Sequence, residues 1–407
     1  MLIQKQSIRP EEPQVSQGAG KTIGVGMVGY AFMGGSHSQA WRTVNNFFDL
    51  PVQVQMAALC GRTESAVTEA AGKLGWASVE TDWRRLVARD DIGLVDVSSP
   101  GNNHAEVAIA ALQAGKHVLC EKPLANSVDE AREMVAAAEA AKANGVRSMV
   151  GFNYRRVPAA AFARQLISEG KLGDIRHVRA VYLQDWIVDP EFPLVWRLQK
   201  EEAGSGALGD IASHIVDLAQ FVTGQSVTGV SGLLETFVKN RPLVASTEGL
   251  RGTASTQRGD VTVDDAALFV ARMSGGAVAT FEASRMAPGR RNGLRLEVNG
   301  SKGSLVFELE RLNELQVYFT DDDPGVQGFR TVVVTEPEHP YLSAWWPAGH
   351  IIGWEHTFTH EAYDFLTAIT SGTDPSPSFA EGLQVQLVLQ AVEQSSEGGS
   401  TWVQVPA

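Results

Sequence analysis

Apolar and polar positions follow two different spacings in the first third of the chain. Short uninterrupted apolar runs, typical of buried strands, alternate with segments whose apolar residues recur every three or four positions, as in amphipathic helices. The runs lie at Ile23–Val28, Val52–Leu59, Leu94–Val97, His117–Cys120 and Ser148–Phe152, and the helical segments at Met33–Asn46, Glu64–Leu74, His104–Ala114 and Val128–Asn144. This alternation predicts an α/β domain over residues 22–150, built on a doubly wound parallel sheet that binds ligands at the carboxyl ends of its strands.

The pattern changes after residue 150, where most runs alternate apolar and polar residues. Eight such runs lie at Ile175–Gln184, Val227–Val238, Asp264–Arg272, Ala277–Arg285, Gly293–Asn299, Gly303–Glu308, Glu314–Phe319 and Thr331–Val334. They predict an α+β domain over residues 151–407 with a large, open, mainly antiparallel sheet, one face of which is covered by helices at Ala159–Glu169 and Asp210–Thr223. The other face must also be hidden from water, so we expect a homo-oligomer, preferably a tetramer. Residues 1–21 lack an apolar core and predict a disordered tail.

The turn after the first predicted strand, Gly29-Tyr-Ala-Phe-Met-Gly34, is rich in glycine and opens a helix. It is similar to the G-x-G-x-x-G turn of Rossmann domains, in which the helix N-terminus binds the pyrophosphate of a dinucleotide. Ala31 replaces the middle glycine and leaves room for a backbone contact. The cofactor contacts expected from this turn are Gly29, Ala31, Phe32, Met33 and Gly34.

The end of the second predicted strand bears on which dinucleotide is bound. Rossmann domains that use NAD usually place an acidic residue there, where it binds the adenosine ribose. Here no acid occupies that place, and Arg62 could stack on adenine or pair with a 2′-phosphate. This position therefore permits NADP and does not exclude NAD, so it leaves the choice open. The cofactor we expect is NAD, with NADP not excluded.

Polar residues follow the next predicted strand. Pro100, Asn103 and His104 come after the run at Leu94–Val97 and are expected to lie over the nucleotide. An ordinary loop and helix cap explains His104 and its neighbours equally well.

A Glu-Lys-Pro sequence directly follows the buried run that ends at Cys120. Pro123 restricts Lys122 to an extended backbone and often accompanies a cis bond in a tight turn. A lysine held in a crevice in this way can do acid–base work beside a nicotinamide. Glu121 and Lys122 are therefore expected to contact the cofactor.

The segment Gly204–Gly224 combines a glycine-rich run with a strongly helical pattern. Asp210 and His214 lie four residues apart, so their side chains are expected to meet on one face of the first helical turn. A carboxylate beside an imidazole orients the ring and raises its basicity, as a general base requires. An N-terminal helix cap with a structural histidine explains the same residues equally well.

Four segments together, GYAFMG, EKPLA, FNYRR at 152–156 and GSGALGDIASH, resemble the glucose–fructose oxidoreductase and inositol dehydrogenase family (Gfo/Idh/MocA) over about residues 22–395. Within that family, the segments at Tyr182–Trp186 and Asp189–Arg197 are most similar to bacterial glycoside 3-dehydrogenases. The replaced middle glycine and the missing acid of the second strand are departures from the family pattern.

The resemblance implies roles for individual residues. The residues that match the family's catalytic group beside the nicotinamide are Lys122, Asp210 and His214, which would also contact the substrate. The resemblance further assigns substrate contacts to Tyr154, Gln184 and Trp186, and cofactor contacts to Trp196 and Arg197.

The implied activity is NAD(P)-dependent oxidation of a secondary ring hydroxyl to a ketone, at C3 of a sugar, anhydrosugar or glycoside. Which of Lys122 and His214 takes up the hydroxyl proton is left open. A cyclitol such as inositol is the rival substrate. A protein that keeps NAD tightly bound for glycosidic-bond cleavage or sensing is the alternative of a different class.

The segment Tyr341–His360 is rich in tryptophan and histidine. Indole rings pack well on sugar C–H faces, but a core or interface loop explains the tryptophans equally well. His356 and His360 have a spacing that suits a metal, yet no third ligand follows at a suitable distance. We expect no metal, and we expect His360 to face the substrate.

Composition narrows the partners and the compartment. The 407 residues carry a formal net charge of −13, which argues against a nucleic acid or an anionic membrane as a partner. Apolar runs fall short of the ~20 residues that a membrane helix needs. The two cysteines, Cys60 and Cys120, lie in apolar strand-like runs and are expected to be reduced core residues. We therefore expect a cytoplasmic protein that acts on a small carbohydrate.

Overall fold

The computed structural model describes residues 21–248 and 251–406. The predicted disordered tail, apart from Lys21, lies outside the described residues. Lys21 itself already belongs to the first strand.

The first domain is a six-stranded parallel sheet in the order β3-β2-β1-β4-β5-β6, with helices between the strands. Its elements are β1 (Lys21–Val28), α1 (Phe32–Phe47), β2 (Val52–Cys60), α2 (Glu64–Leu74), β3 (Ser78–Glu80), α3 (Trp83–Val87), β4 (Leu94–Val97), α4 (His104–Gln113), β5 (His117–Glu121), α5 (Val128–Lys142) and β6 (Ser148–Gly151). The predicted doubly wound sheet is confirmed. Strand β3 and helix α3 were not predicted, because they are too short to show a periodic spacing of apolar residues.

The register of this sheet brings three loops together. Val28, Val97 and Cys120 pair side by side near the carboxyl ends of β1, β4 and β5. The glycine turn after β1, the loop after β4 and the Glu-Lys-Pro turn after β5 therefore leave the sheet at the same edge. This edge is where ligands of doubly wound sheets bind.

The second domain is built on a nine-stranded sheet in the order β16-β15-β14-β13-β7-β12-β11-β8-β17, in which only β7 and β12 pair in parallel among the described strands. Its elements are α6 (Pro158–Ser168), β7 (Ile175–Leu183), α7 (Lys200–Ala203), α8 (Ser213–Thr223), β8 (Val227–Glu235), β9 (Asn240–Glu248), β10 (Arg251–Asp260), β11 (Ala266–Met273), β12 (Val278–Ser284), β13 (Gly293–Gly300), β14 (Gly303–Glu308), β15 (Glu314–Phe319), β16 (Arg330–Val333), α9 (His356–Ser371), α10 (Phe379–Glu397) and β17 (Val403–Gln404). The predicted mainly antiparallel sheet is confirmed.

Helices α6, α8 and α10 pack on one face of the large sheet, as their apolar residues require. The opposite face leaves Leu233, Leu268, Val270 and Val278 exposed. Helix α10 and the separate two-stranded hairpin of β9 and β10 were not predicted from the sequence. No helix in the described part of the chain is long and apolar enough to cross a membrane.

The last third of the chain returns to the first domain. Helix α9 packs on α1, where Phe358 and Phe365 join Trp41 and Val44 in one buried cluster. Helix α10 packs on α5 at the other side of the sheet. Residues from both ends of the chain therefore share one buried cluster.

Candidate active site

A cavity of about 500 Å³ lies between the carboxyl edge of the parallel sheet and the N-terminal end of α8. Parallel strands direct their following loops into it, and the glycine-rich segment before α8 closes its other side. Of the predicted site residues, those that line the cavity are Ala31, Phe32, Met33, Pro100, His104, Glu121, Lys122, Tyr154, Gln184, Trp186, Trp196, Arg197, Asp210 and His214.

The glycine turn has the shape that a dinucleotide needs. Gly29 has φ of +102°, and a Cβ there would lie 2.6 Å from the Ser98 carbonyl oxygen. A Cβ on Gly34 would lie 2.4 Å from the Gly29 oxygen, so both positions require glycine. Helix α1 begins directly after Ala31, which has no polar side chain to cap the first N–H groups. The residues present therefore fit a pyrophosphate bound at a helix N-terminus.

Four predicted cofactor contacts do not line this cavity: Gly29, Gly34, Arg62 and Asn103. Arg62 is exposed on the loop after β2, and Asn103 is half-buried at the start of α4. His104, in contrast, is buried, with Nδ1 3.0 Å from the Pro123 oxygen and Nε2 2.9 Å from the Ser99 oxygen. It thereby joins the loop after β4 to the turn after β5. The Arg62 position leaves the choice between NAD and NADP open.

The Glu-Lys-Pro turn presents Lys122 to the cavity. The Lys122–Pro123 bond is cis, as the sequence suggested. The Lys122 ammonium donates to the backbone oxygen of Asp210 at 2.8 Å, and its Nζ lies 3.4 Å from Asp210 Oδ1. The lysine of the first domain is therefore bound to the first turn of the second domain's helix.

The carboxylate of Asp210 is surrounded by cations. Burial alone would raise its pKa, but Lys122, Arg285 and Arg197 outweigh burial and lower the pKa to about 2. Arg285 is fully buried, and its Nη1 lies 3.6 Å from Asp210 Oδ2. Arg285 directly follows strand β12 of the large sheet, and it lines the cavity. Asp210 is thus ionised in this site throughout the neutral range.

The helix that carries Asp210 begins earlier than predicted. A π-helical turn over Leu208–Ala212 precedes α8, and the Asp264 carboxylate accepts from the backbone N–H groups of Gly206 and Leu208 at 2.7 and 2.8 Å. Asp264 therefore supplies the cap that the sequence assigned to Asp210. This leaves the Asp210 carboxylate free to bind Lys122.

The predicted pair of Asp210 and His214 is not formed as a hydrogen bond. His214 is buried, and its Nδ1 has no hydrogen-bond partner among the described residues. Burial lowers the pKa of His214 well below 6.5, Lys122 lowers it further, and Asp210 offsets only part of this. The prediction that Asp210 raises the basicity of His214 is therefore wrong, and the imidazole is neutral at neutral pH.

A chain of polar side chains forms the far wall of the cavity. The Tyr154 hydroxyl lies 2.8 Å from that of Tyr182, which donates to Asn292 Oδ1 at 2.7 Å. Gln184 Nε2 donates to the same oxygen at 2.9 Å, and Trp186 Nε1 donates to Gln184 Oε1 at 3.0 Å. This wall offers hydroxyl, amide and indole groups to a polar ligand.

Sequence reasoning missed several contributors to the cavity. Tyr182 lay within a segment already singled out, but Asn292 carried no signal in a loop between strands. Arg285 ended a predicted strand, and its charge at a strand end was the available sign. Arg241 is also fully buried and donates to the backbone oxygens of Asp189 and Ile187, both at 2.7 Å. It thereby fixes the segment that carries Trp186, Trp196 and Arg197.

His360 does not face the substrate cavity, contrary to expectation. Its Nδ1 lies 2.9 Å from the Arg156 oxygen, and its Nε2 accepts from Trp345 Nε1 at 2.7 Å. The sequence could not show that α9 packs this histidine between Trp345 and the turn after β6. Of the three tryptophans in the segment, Trp354 lines the cavity, and it stacks on Phe32 with ring centres 5.4 Å apart. Among the described residues, no three His, Cys, Asp or Glu side chains are grouped to hold a metal.

A dinucleotide turn that opens onto a lysine, a carboxylate and an uncharged imidazole is typical of oxidoreductases that use a pyridine nucleotide. The family comparison agrees with the geometry. A family described as "Oxidoreductase family, NAD-binding Rossmann fold" matches residues 23–152, and one described as "GFO/IDH/MocA C-terminal domain" matches residues 160–306. The chain belongs to the Gfo/Idh/MocA family, and it is an NAD-dependent oxidoreductase.

Known relatives span nearly the whole chain. The levoglucosan dehydrogenase of Pseudarthrobacter phenanthrenivorans is 43% identical over 394 residues, 95% of this chain and 99% of that protein. The crystal structure of an oxidoreductase domain protein from Kribbella flavida is similar at a TM-score of 0.91 and 59% identity, covering 95% of this chain and 100% of that one. A levoglucosan dehydrogenase in complex with NADH and levoglucosan is similar at a TM-score of 0.88 and 42% identity, with coverage of 95% and 100%.

Proposed function

We propose that this protein is an NAD-dependent dehydrogenase that oxidises a secondary ring hydroxyl, at C3 of a sugar, anhydrosugar or glycoside, to a ketone. The observation that carries the proposal is the meeting of Lys122, Asp210 and a neutral His214 in one cavity. The whole-length similarity to a levoglucosan dehydrogenase that binds NADH and levoglucosan supports the substrate class.

The chemistry requires a proton acceptor, since an alcohol has no useful acidity at neutral pH. NAD, when bound, supplies the hydride acceptor at its nicotinamide. His214 is the acceptor we assign to the hydroxyl proton, because its ring lines the cavity and, being neutral, has a lone pair to offer. Lys122 is already bound to Asp210, and we assign it the task of orienting the hydroxyl between the two domains.

The far wall is proposed to hold the remaining hydroxyl groups of the sugar. Tyr182, Gln184 and Asn292 present several polar groups within one hydrogen-bonded chain. Such a chain can recognise a polyol because each hydroxyl both donates and accepts. Trp186 adds an indole beside this chain, which can pack on the C–H face of a ring.

The test is turnover with purified protein, NAD or NADP, and a panel of levoglucosan, glucose, glucosides and myo-inositol. The appearance of reduced cofactor is followed by absorbance, and the product is identified by NMR. We expect reduction of NAD with an anhydrosugar or glycoside and a ketone at C3. Turnover with myo-inositol alone would move the substrate class to cyclitols. Bound dinucleotide without turnover on any member of the panel would refute the dehydrogenase proposal.

We also propose a homo-oligomer, preferably a tetramer, formed through the outer face of the large sheet. Leu268 and Val270 of β11 and Leu233 of β8 are neighbours on that face, and each is about half exposed. Apolar patches of this kind mark association surfaces. Light scattering after size exclusion measures the mass directly, and a monomer at all concentrations would contradict the proposal. The buried free cysteines, Cys60 and Cys120, fit the proposed cytoplasmic location.

A further inference from the structure

A network of buried charged groups lies beneath the cofactor turn, and of its three charged members only Glu121 also lines the cavity. His37, in the second turn of α1, has Nδ1 2.9 Å from Asp96 Oδ2 and Nε2 2.9 Å from Glu121 Oε1. All three residues are at most 4% exposed. Trp41 Nε1 also donates to Asp96 Oδ2, at 2.6 Å, and Ser98 Oγ donates to Asp96 Oδ1, at 3.0 Å.

The ring of His37 must donate from both nitrogens, because a carboxylate accepts but does not donate. Only the imidazolium has two N–H groups. Burial lowers the pKa of His37, but Asp96 and Glu121 outweigh burial and raise it well above 6.5. The result is one cation held between two carboxylates from adjacent strands, β4 and β5.

The network continues directly to the catalytic turn. Glu121 Oε2, the oxygen not bound to His37, accepts the backbone N–H of Lys122 at 3.0 Å. Lys122 then reaches across the cleft to Asp210. His37 lies on α1, the helix whose N-terminus fits a pyrophosphate. Hydrogen bonds therefore connect α1 to the backbone of Lys122 through His37 and Glu121.

The other charged neighbours come from α9 and from the turn after β6. Glu361 of α9 is buried, and neither of its oxygens has a hydrogen-bond partner among the described residues. Burial raises the pKa of Glu361 to about 8, although Arg156 and His37 act in the opposite direction. With Glu361 mostly protonated at neutral pH, His37 is the cation that balances Asp96 and Glu121 from within the first domain.

We propose that His37 is a positioning residue, which fixes the backbone of Lys122 to the cofactor-binding helix through Glu121. The proposal rests on the catalytic role proposed for Lys122. Asp96 serves as the second anchor of the ring, so that His37 cannot turn away from Glu121. Loss of the imidazolium would leave Glu121 free to change rotamer, and the Lys122 turn would lose its fixed place relative to the glycine turn after β1.

The test compares His37→Gln with Ser38→Ala, a matched change at the next residue of the same helix. Ser38 is also buried and makes two hydrogen bonds, to the Gly34 oxygen and from Trp76 Nε1, but neither involves the network. Hydrogen–deuterium exchange is measured on a peptide that contains Lys122, and the dissociation constant for NAD and the turnover number are measured on the same samples. Glu121→Gln provides a second variant should His37→Gln fail to fold.

In His37→Gln we expect faster exchange at the Lys122 amide and a turnover number lower by about ten-fold or more, since displacements of about 1 Å can cost ~100-fold in rate. The dissociation constant for NAD should change by less than about three-fold, because the glycine turn is untouched. Ser38→Ala should leave exchange at Lys122 as in the wild type. Glu121→Gln should act like His37→Gln, because the amide carries no charge to hold the imidazolium and has one acceptor atom in place of two.

Unchanged exchange at Lys122 in both network variants would overturn the proposal, whatever the activity. A normal turnover number at saturating NAD, with only the dissociation constant for NAD raised, would also overturn it, since this would place the role in cofactor binding alone. An inactive wild type would refute the proposed function instead. The exchange measurement needs no substrate and would still decide the role of His37.

Discussion

Replacing Asp210 by asparagine tests the central ion cluster of the site. The substitution keeps the shape of the side chain and removes the charge that Lys122 and Arg285 surround. Asparagine also resembles the protonated form of aspartate. The variant therefore shows at any pH what the wild-type site becomes when Asp210 is neutral.

The magnitude follows from the pKa of the carboxyl. The pKa of Asp210 falls from 3.8 to about 2 on folding, because the surrounding cations outweigh burial. Each ten-fold change in proton affinity is worth about 1.4 kcal/mol, so the ionised carboxylate stabilises the fold by about 2 kcal/mol. A depressed pKa gives stability that is fully present above about pH 4 and is lost as the pH falls through 2. The side chain is 26% exposed, so solvent screening of the cluster is limited.

The assay is urea unfolding followed by tryptophan fluorescence, without NAD, at several pH values. Asp210→Asn should be less stable than the wild type by about 2 kcal/mol near pH 7, and the difference should shrink to about 1 kcal/mol near pH 3. Asp174→Asn, at an exposed position before β7, is the matched control and should have no effect. Equal stability of Asp210→Asn and wild type near pH 7, or a difference that does not shrink in acid, would refute the reasoning.

Three further predictions concern catalysis and cofactor binding. Lys122→Ala and His214→Ala should each lower the turnover number by ~100-fold or more while the fold is kept, and near-normal turnover in either variant would count against its role. The pKa of His214 lies well below 6.5, so protonation of this base should not lower kcat/KM between about pH 8 and pH 6. A fall in kcat/KM with an apparent pKa near 6.5 would contradict the assignment of His214 as the proton acceptor. Gly29→Ala places a Cβ 2.6 Å from the Ser98 oxygen at a positive φ, so the dissociation constant for NAD should rise by ~ten-fold or more in calorimetry, whereas unchanged binding would mean that the turn does not hold the pyrophosphate.

The strands and helices of the first domain could be predicted because their signals are local. Helix α2, for example, was predicted at its observed bounds, since its apolar spacing and its terminal Gly75 suffice. The short strand β3 has three residues, too few to show a period. The turn at Lys122 was also predictable, because a buried strand and Pro123 flank it in sequence.

Interactions between distant segments could not be predicted in the same way. Spacing correctly placed Asp210 and His214 on neighbouring turns, but it could not show that Lys122 and Arg285 arrive from other elements and bind the carboxylate. The position of His360 was missed for the same reason, since its sequence neighbours gave no sign that Trp345 and the turn after β6 would cover it. The His37 network escaped notice because its members lie on three separate elements.

The return of α9 to the first domain has a consequence for synthesis in the cell. The ribosome completes the parallel sheet early, but Phe358 and Phe365, which fill the cluster around Trp41, follow about 200 residues later. At ~5–20 residues per second, this delay lasts on the order of 10 to 40 seconds. During that time the nascent first domain exposes an apolar groove along α1. The first domain therefore needs α9 to bury its apolar residues. A chain that stops before α9 would expose the residues around Trp41 and would be prone to aggregate, so the nucleotide-binding domain should not be stable alone.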